Sequence, residues 1–374
     1  MDTTFFTAAY QDGYAYLGRR HYNAGTFAVH LLNDFYKDDL AARLSVYKNA
    51  GWQVLDLLSQ GTVAASLLVQ AGWELQQILK VLPRLQPFKL LNIPAEQERI
   101  AVLFTEEAAV LLRRYFHLRG IVGQAEEIQV IYAQPEGFDK KVFHQGERLV
   151  SDIRQTITLY HSISDDMRFC FNGLRQFVTH LEEAERLDEA HLLPIALDVF
   201  KGRPLSLNME YISVRPTAKG SCTVARKLIF DRYRSFLLTD FFEGLHHGHY
   251  PKQCQICGKY FLMGSARPQR YCGGWSGIVE KGRKLSCRQY AVRIGKKELA
   301  EADPRKDLYN RRCACIRSEQ SRGTITPEFA QAAKAIAKRR LNAAIMDPAY
   351  AATQFEQDLQ RAKLYEDVKV GWVT

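Results

Sequence analysis

The residues of this chain best able to do chemistry are its cysteines, and they are bunched. Six of the eight lie between Cys254 and Cys315, with only Cys170 and Cys222 outside. In CQICGKYF, 254–261, two thiols are separated by two residues and followed by Gly258. Such a knuckle turn aims both sulfurs at one point, and glycine suits the positive-φ corner that follows. Tyr260 and Phe261 should then open a strand and give the metal apolar cover. Cys272 comes next, in QRYC beyond Pro268, and Cys287 follows Ser286. Serine is a good helix N-cap, so Cys287 is expected in a first helical turn, where the dipole favours a thiolate. Cys254, Cys257, Cys272 and Cys287 thus form Cys-x2-Cys-x14-Cys-x14-Cys, the pattern of a structural zinc site. Four protein ligands leave no open coordination position, so the metal is expected to staple the fold and not to catalyse. Cys313 and Cys315, two apart in a helix, point to different faces and read as packing residues. His246, His247 and His249 read as a polar helix end, any of them able to substitute as a ligand.

Charge singles out the same region. The chain has 374 residues and a net charge of +10. Residues 251–345 hold 21 Lys and Arg against 7 Asp and Glu, a surplus of +14, whereas residues 1–250 hold 27 against 29. A basic block of this kind fits an acidic partner, most often nucleic acid. Arg283, Lys284, Arg288, Arg293, Lys297, Lys338 and Arg339 are the expected phosphate contacts. Trp275 lies in GGWSGIVEKGRKLS, which four glycines should make a mobile loop. It is placed either to stack on a base or to plug the zinc site with apolar surface. Arg293, Lys296 and Lys297 share one helix face at i, i+3, i+4. Later helices add Lys334, Lys338, Arg339 and Arg340 to a basic outer surface.

The run C-x2-C-GKYF, then RYC, then Cys287-Arg288 opening a basic helix resembles the CGNR-type zinc finger. It is still more similar to a large bacterial family in which a long amino-terminal region precedes such a finger. Asp303-Pro304, Tyr309 and Gly323-Thr324-Ile325-Thr326 continue the likeness, which covers roughly 250–345. It implies zinc and a bacterial mobile-element or phage context, but no particular activity. Arg288-Gln289-Tyr290 stands where CGNR fingers carry Gly-Asn-Arg, and the spacer from Cys272 to Cys287 is longer than theirs.

The rest of the chain must position these groups. With 47% apolar and 25% charged residues, wholesale disorder is excluded. The longest apolar stretch, Val63–Trp73, is broken by Ser66, Gln70 and Gly72, too short and too polar to span a membrane. The amino terminus has no basic run before an apolar one, so a secretory signal is not expected and a cytoplasmic protein is. Residues 1–40 read as irregular, aromatic docking elements. Helical spacing runs from about 35 to 200: one helix capped by Gly61-Thr62 and reaching Leu82, one from Pro94 to Leu118, then 146–160, 165–186 and 188–200. IQVIYAQPEGFDKKV could hold a short strand and turn. HLEEAERLDEAH, 180–191, reads as a solvated helix surface. Met209–Val214 should pair with Cys222–Phe230, before a helix over 231–245. Thr326-Pro327-Glu328 opens a further helix.

The expected fold is therefore mainly α. A helical amino-terminal domain (1–200) with a short β-hairpin leads through a connector (201–250) to a zinc-ribbon or treble-clef-like module (251–303). A basic helical extension (304–374) follows. No Walker loop, His-Glu-x-x-His or Gly-x-Ser-x-Gly occurs, so no enzyme class is indicated. A DNA- or RNA-binding regulator is the expectation. The alternative is a protein-interaction factor, such as an inhibitor of a host or defence nucleoprotein, docking through residues 1–200.

Overall fold

The computed structural model describes residues 6–122, 138–183, 188–200, 207–214, 223–264, 269–280 and 282–373. The chain divides into two compact units. The first is Met1–Cys254 with Gly258–Arg270; the second is Gln255–Cys257 with Tyr271–Thr374. The fold is mainly α-helical, as the periodicity implied.

The first unit holds β1 (Phe6–Gln11), β2 (Tyr14–Leu17), β3 (Arg20–Asn23), α1 (Thr26–Asp34), α2 (Leu40–Ser59), α3 (Ala65–Val81) and α4 (Ile93–Leu103). It continues with α5 (Glu106–Val122), α6 (Lys140–Glu183), α7 (Glu189–Val199), β4 (Asn208–Val214), β5 (Thr223–Phe230), α8 (Tyr233–His246), β6 (Tyr250–Gln253) and β7 (Tyr260–Met263). Residues 6–34 are thus not irregular. Three strands and a helix form there because β1 pairs antiparallel with distant β5, giving a sheet of order β3-β2-β1-β5-β4. Phe6, Ala8, Tyr10, Ala15, Leu17, Leu228 and Phe230 face one core from it. The β4–β5 hairpin forms as the sequence implied.

Three helix boundaries differ from the sequence reading, each for a local reason. Gly61, at φ 74°, ends α2 and does not cap α3. The N–H of Thr62 reaches Leu57 O and that of Gly61 reaches Leu58 O, a Schellman ending that needs a left-handed residue. The helix expected over 94–118 breaks at Phe104, where Thr105 Oγ1 accepts the N–H of Ala108 and caps α5. Helices expected at 146–160 and 165–186 are one 44-residue helix, α6. Its polar middle is satisfied in place: Asp166 accepts from Arg232 and from the N–H of Arg234. Most of IQVIYAQPEGFDKKV, and residues 184–187 of the acidic stretch, lie outside the described residues.

Helix α8 is the hub of this unit. Tyr233, Phe236, Leu237, Phe241 and Leu245 are buried, and so is Asp240. Gly25, at φ 87°, precedes α1 and has no side chain to cap it. Asp240 supplies the cap from another helix, accepting the N–H of Phe27 at 3.1 Å. Gly244 permits that approach, since a Cβ there would lie 2.9 Å from Ala24 O.

The second unit holds β8 (Trp275–Glu280), β9 (Arg283–Ser286), α9 (Cys287–Ala302), α10 (Pro304–Ser321), α11 (Pro327–Met346), α12 (Pro348–Thr353), α13 (Phe355–Asp358) and α14 (Arg361–Val373). Its core is small: Ala330, Ala333, Ala337, Leu341 and Ala344 of α11 meet Ile316, Phe355, Leu359, Leu364 and Val368. Alanines at that spacing let helices approach closely. Asp303, Thr326 and Asp347 cap α10, α11 and α12. Arg340, read as part of the basic outer face, is turned inward. It pairs with Asp367 and reaches Asp358 O.

Burial pushes the pKa of Asp240 up to about 8, with Glu243 adding to the rise. The folded chain therefore holds a proton that the unfolded chain gives up near pH 4. The stability this group contributes is fully present below about pH 4 and is lost as pH rises through about 8. Asp240→Asn should flatten that loss. Thermal melts across this range check it: parallel pH profiles for the two proteins would contradict the assignment.

Candidate metal centre

The sulfurs of Cys254, Cys257, Cys272 and Cys287 all lie within 4.8 Å of one another. Cys257 Sγ lies 3.6 Å from Cys272 Sγ, and none of the four is in a disulfide. Zinc–sulfur bonds of about 2.3 Å put tetrahedral corners about 3.8 Å apart, so the spacing suits four ligands on one ion. Cys254 and Cys287 are fully buried. Cys257 is half-buried, so the cluster lies near the surface with two of its thiols fully covered.

Each cysteine is placed by a local feature. The knuckle closes through the N–H of Gly258 on Cys254 O and that of Cys254 on Lys259 O, both at 2.9 Å. Gly258 has φ 69°, the corner expected of it. Gln253 Nε2 donates to Gly258 O at 2.9 Å and stiffens the turn. Beyond it, β7 is fixed to α1: Tyr260 N–H donates to Asn33 Oδ1, and Asn33 Nδ2 donates to Tyr260 O. Tyr260 and Phe261 pack on the first unit's core, which is a different place from the metal cover expected of them.

Cys287 opens α9, and Ser286 caps it as expected. The N–H of Gln289 reaches Ser286 Oγ, while Ser286 N–H donates to Gln289 Oε1 at 2.9 Å. This reciprocal capping box was legible in S-x-x-Q and adds Gln289 to the residues that hold the site. The N–H of Cys287 also donates to Gly274 O at 2.9 Å. Knuckle, hairpin and helix follow one another in treble-clef order.

The segment between the last two cysteines is a hairpin, not a mobile loop. Strands β8 and β9 pair antiparallel from Trp275–Ser286 to Glu280–Arg283, with an irregularity near Gly277. Gly277 and Gly282 take φ 88° and 74°, conformations that this bulge and turn require. Trp275 is 57% exposed, so it does not plug the sulfur pocket. Lys284 Nζ lies 5.7 Å from its ring centroid.

Against this hairpin α9 forms a trough of about 470 Å³ lined by Arg283, Lys284, Leu285, Arg288, Gln289, Val292, Arg293 and Lys296. Among the described residues no carboxylate lines it, although Glu280 pairs with Arg293. Of the expected phosphate contacts, Arg283, Lys284, Arg288 and Arg293 come together here. Lys296, read only as part of the helix face, joins them. Lys297 lies on the same helix outside the trough, beside Glu301. Lys338 and Arg339 are exposed on α11 and do not line it. Cys313 is buried and Cys315 exposed, on opposite faces of α10 and outside the cluster. His246, His247 and His249 are also outside the cluster, His246 pairing with Glu189.

A family of unknown function, DUF6076, matches residues 203–371. That span runs from just before β4 into α14 and includes all four cysteines. Neither a curated protein nor a solved structure matches the chain. No helix among the described residues is long and apolar enough to cross a membrane.

Cys254→Ser and Cys287→Ser should each strip the folded chain of its metal, lowering the metal-to-protein ratio from one to a small fraction. Cys315→Ser should leave that ratio unchanged. Elemental analysis of the full-length proteins reads both, and equal metal content in all three would contradict the ligand assignment.

Proposed function

We propose that this protein binds nucleic acid, through a surface whose shape is fixed by a structural zinc ion. Zinc is the ion the donor set favours: four thiolates at tetrahedral spacing are one of its usual structural ligand sets. With all four positions filled by protein, the ion's role is to hold the fold. On this reading the chain acts as a non-enzymatic regulator in the cytoplasm, in keeping with the bacterial mobile-element or phage context that the finger's resemblance implies.

One observation carries the reading. Five cations converge on a trough with no lining carboxylate, next to an exposed indole. Like charges gathered so closely repel one another, and a polyanion relieves that repulsion while releasing its own counterions. Lys297, Lys338 and Arg339 offer further exposed charge to DNA or RNA that extends past the trough.

A second reading has one observation of its own. Trp73 is 58% exposed beside a shallow cavity of about 570 Å³ walled by Val69, Ile100 and Phe104 in the first unit. A protein partner could dock there, as an inhibitor of a host or defence nucleoprotein would. Trp73→Glu would release a partner held by this surface and leave one held by nucleic acid in place.

Binding of the full-length, zinc-loaded chain to nucleic acid should weaken steeply with salt. Four phosphate contacts imply about a 50-fold loss on a single strand for a fourfold rise in salt. Lys284→Ala/Lys296→Ala should lower the log–log slope on a single strand by about 1.4. Fluorescence anisotropy at several salt concentrations measures both. Absence of binding at low salt would remove the proposal.

A further inference from the structure

We infer that the trough takes a single strand, DNA or RNA, with one base stacked on Trp275 and the backbone laid along Arg283, Lys284, Arg288 and Lys296. The inference rests on the nucleic-acid reading above and narrows it to one class of ligand.

The geometry separates a single strand from a duplex in two ways. First, the cations line one channel, between β9 and the first three turns of α9, and its lining includes Leu285 and Val292. One channel follows one backbone. A duplex presents two backbones across a groove about 12 Å wide, and would be met by an element filling that groove with charges to either side. Second, beside its charges the hairpin exposes three large apolar side chains on one strand: Trp275, Ile278 and Val279 of β8. In a duplex the base faces are already stacked on each other and offer nothing to an indole. In a single strand they are open, and a charged channel flanked by an aromatic platform is the usual means of holding one.

The position of Trp275 fits this use. It opens β8, its Cα pairing with Ser286 immediately before Cys287, so the ring stands at the fixed base of the hairpin and not at its tip. Lys284 Nζ lies over one face of the ring, 5.7 Å from its centroid, so a base would stack on the other face of this exposed indole. The ring contributes little to folding, being mostly exposed, so its substitution leaves the fold intact.

The test uses the full-length, zinc-loaded protein with labelled oligothymidylate, oligouridylate and a DNA duplex of matched length. Four proteins are compared: wild type, Trp275→Ala, Trp275→Phe and Lys284→Ala/Lys296→Ala. Single strands should bind about tenfold or more tightly than the duplex. Trp275→Ala should weaken single-strand binding by about tenfold, the effect of losing one base–aromatic stack, while Trp275→Phe retains most of it. Comparison of the two single strands shows whether DNA or RNA is preferred, and either preference supports the inference. Duplex binding as tight as single-strand binding, or a Trp275→Ala protein indistinguishable from wild type, overturns it. In that case salt-sensitive duplex binding lost in the double-lysine variant would leave the broader reading standing. No binding to any of the three probes overturns both.

Discussion

Convergence of four thiols on one point is the constraint on which the carboxy-terminal surface depends. A two-stranded hairpin is marginal by itself in water, and β8–β9 is mostly exposed. It is held at its base, where Cys272 precedes it and Cys287 follows it. A metal ion shared by those two residues and by the knuckle would close the hairpin covalently in all but name. The capping box at Ser286 and Gln289 then fixes the direction in which α9 leaves, and hairpin and helix together form the walls of the trough. Loss of the ion would free the hairpin, and the trough would lose one wall.

Charge balance gives the basic block a second role. Four thiolates around a divalent cation would carry a net charge of −2, a burden that nearby cations would ease. Arg288, next to Cys287 in the chain, donates from Nε to Tyr271 O and is held close to that centre. The helices beyond have only a small alanine-rich core, supplemented by caps and by pairs such as Glu319 with Arg361. Much of this unit's order is therefore polar and local, which leaves the outer faces free to carry cations.

The cysteine site was readable because a knuckle is a local device: spacing, a glycine corner and an N-cap serine all act within a few residues. Helix α11 was equally plain, since Thr326, Pro327 and its alanine spacing need no distant partner. What escaped depended on distant partners or on satisfied polar groups. Strand β1 is specified by β5, more than two hundred positions away, and short aromatic strands look irregular without that pairing. Residues 161–164 read as a gap between two helices, yet one helix runs through them, with Arg232 and Arg234 satisfying Asp166 just beyond. The glycines of 273–282 suggest motion, yet two of them make the bulge and turn of a hairpin. Lys296 reads from the sequence as part of a helix face and not of a trough, because the opposite wall, β9, lies in a glycine-rich segment that reads as loop.

On this proposal the ion and the binding surface are one structure. Stepwise removal of metal from the full-length protein by a chelator, with zinc content and single-strand affinity followed in the same samples, tests this most directly. Affinity should fall in proportion to the zinc removed and return when zinc is restored. Metal-free protein that binds as well as the native preparation, or a native preparation that contains no metal, would contradict it.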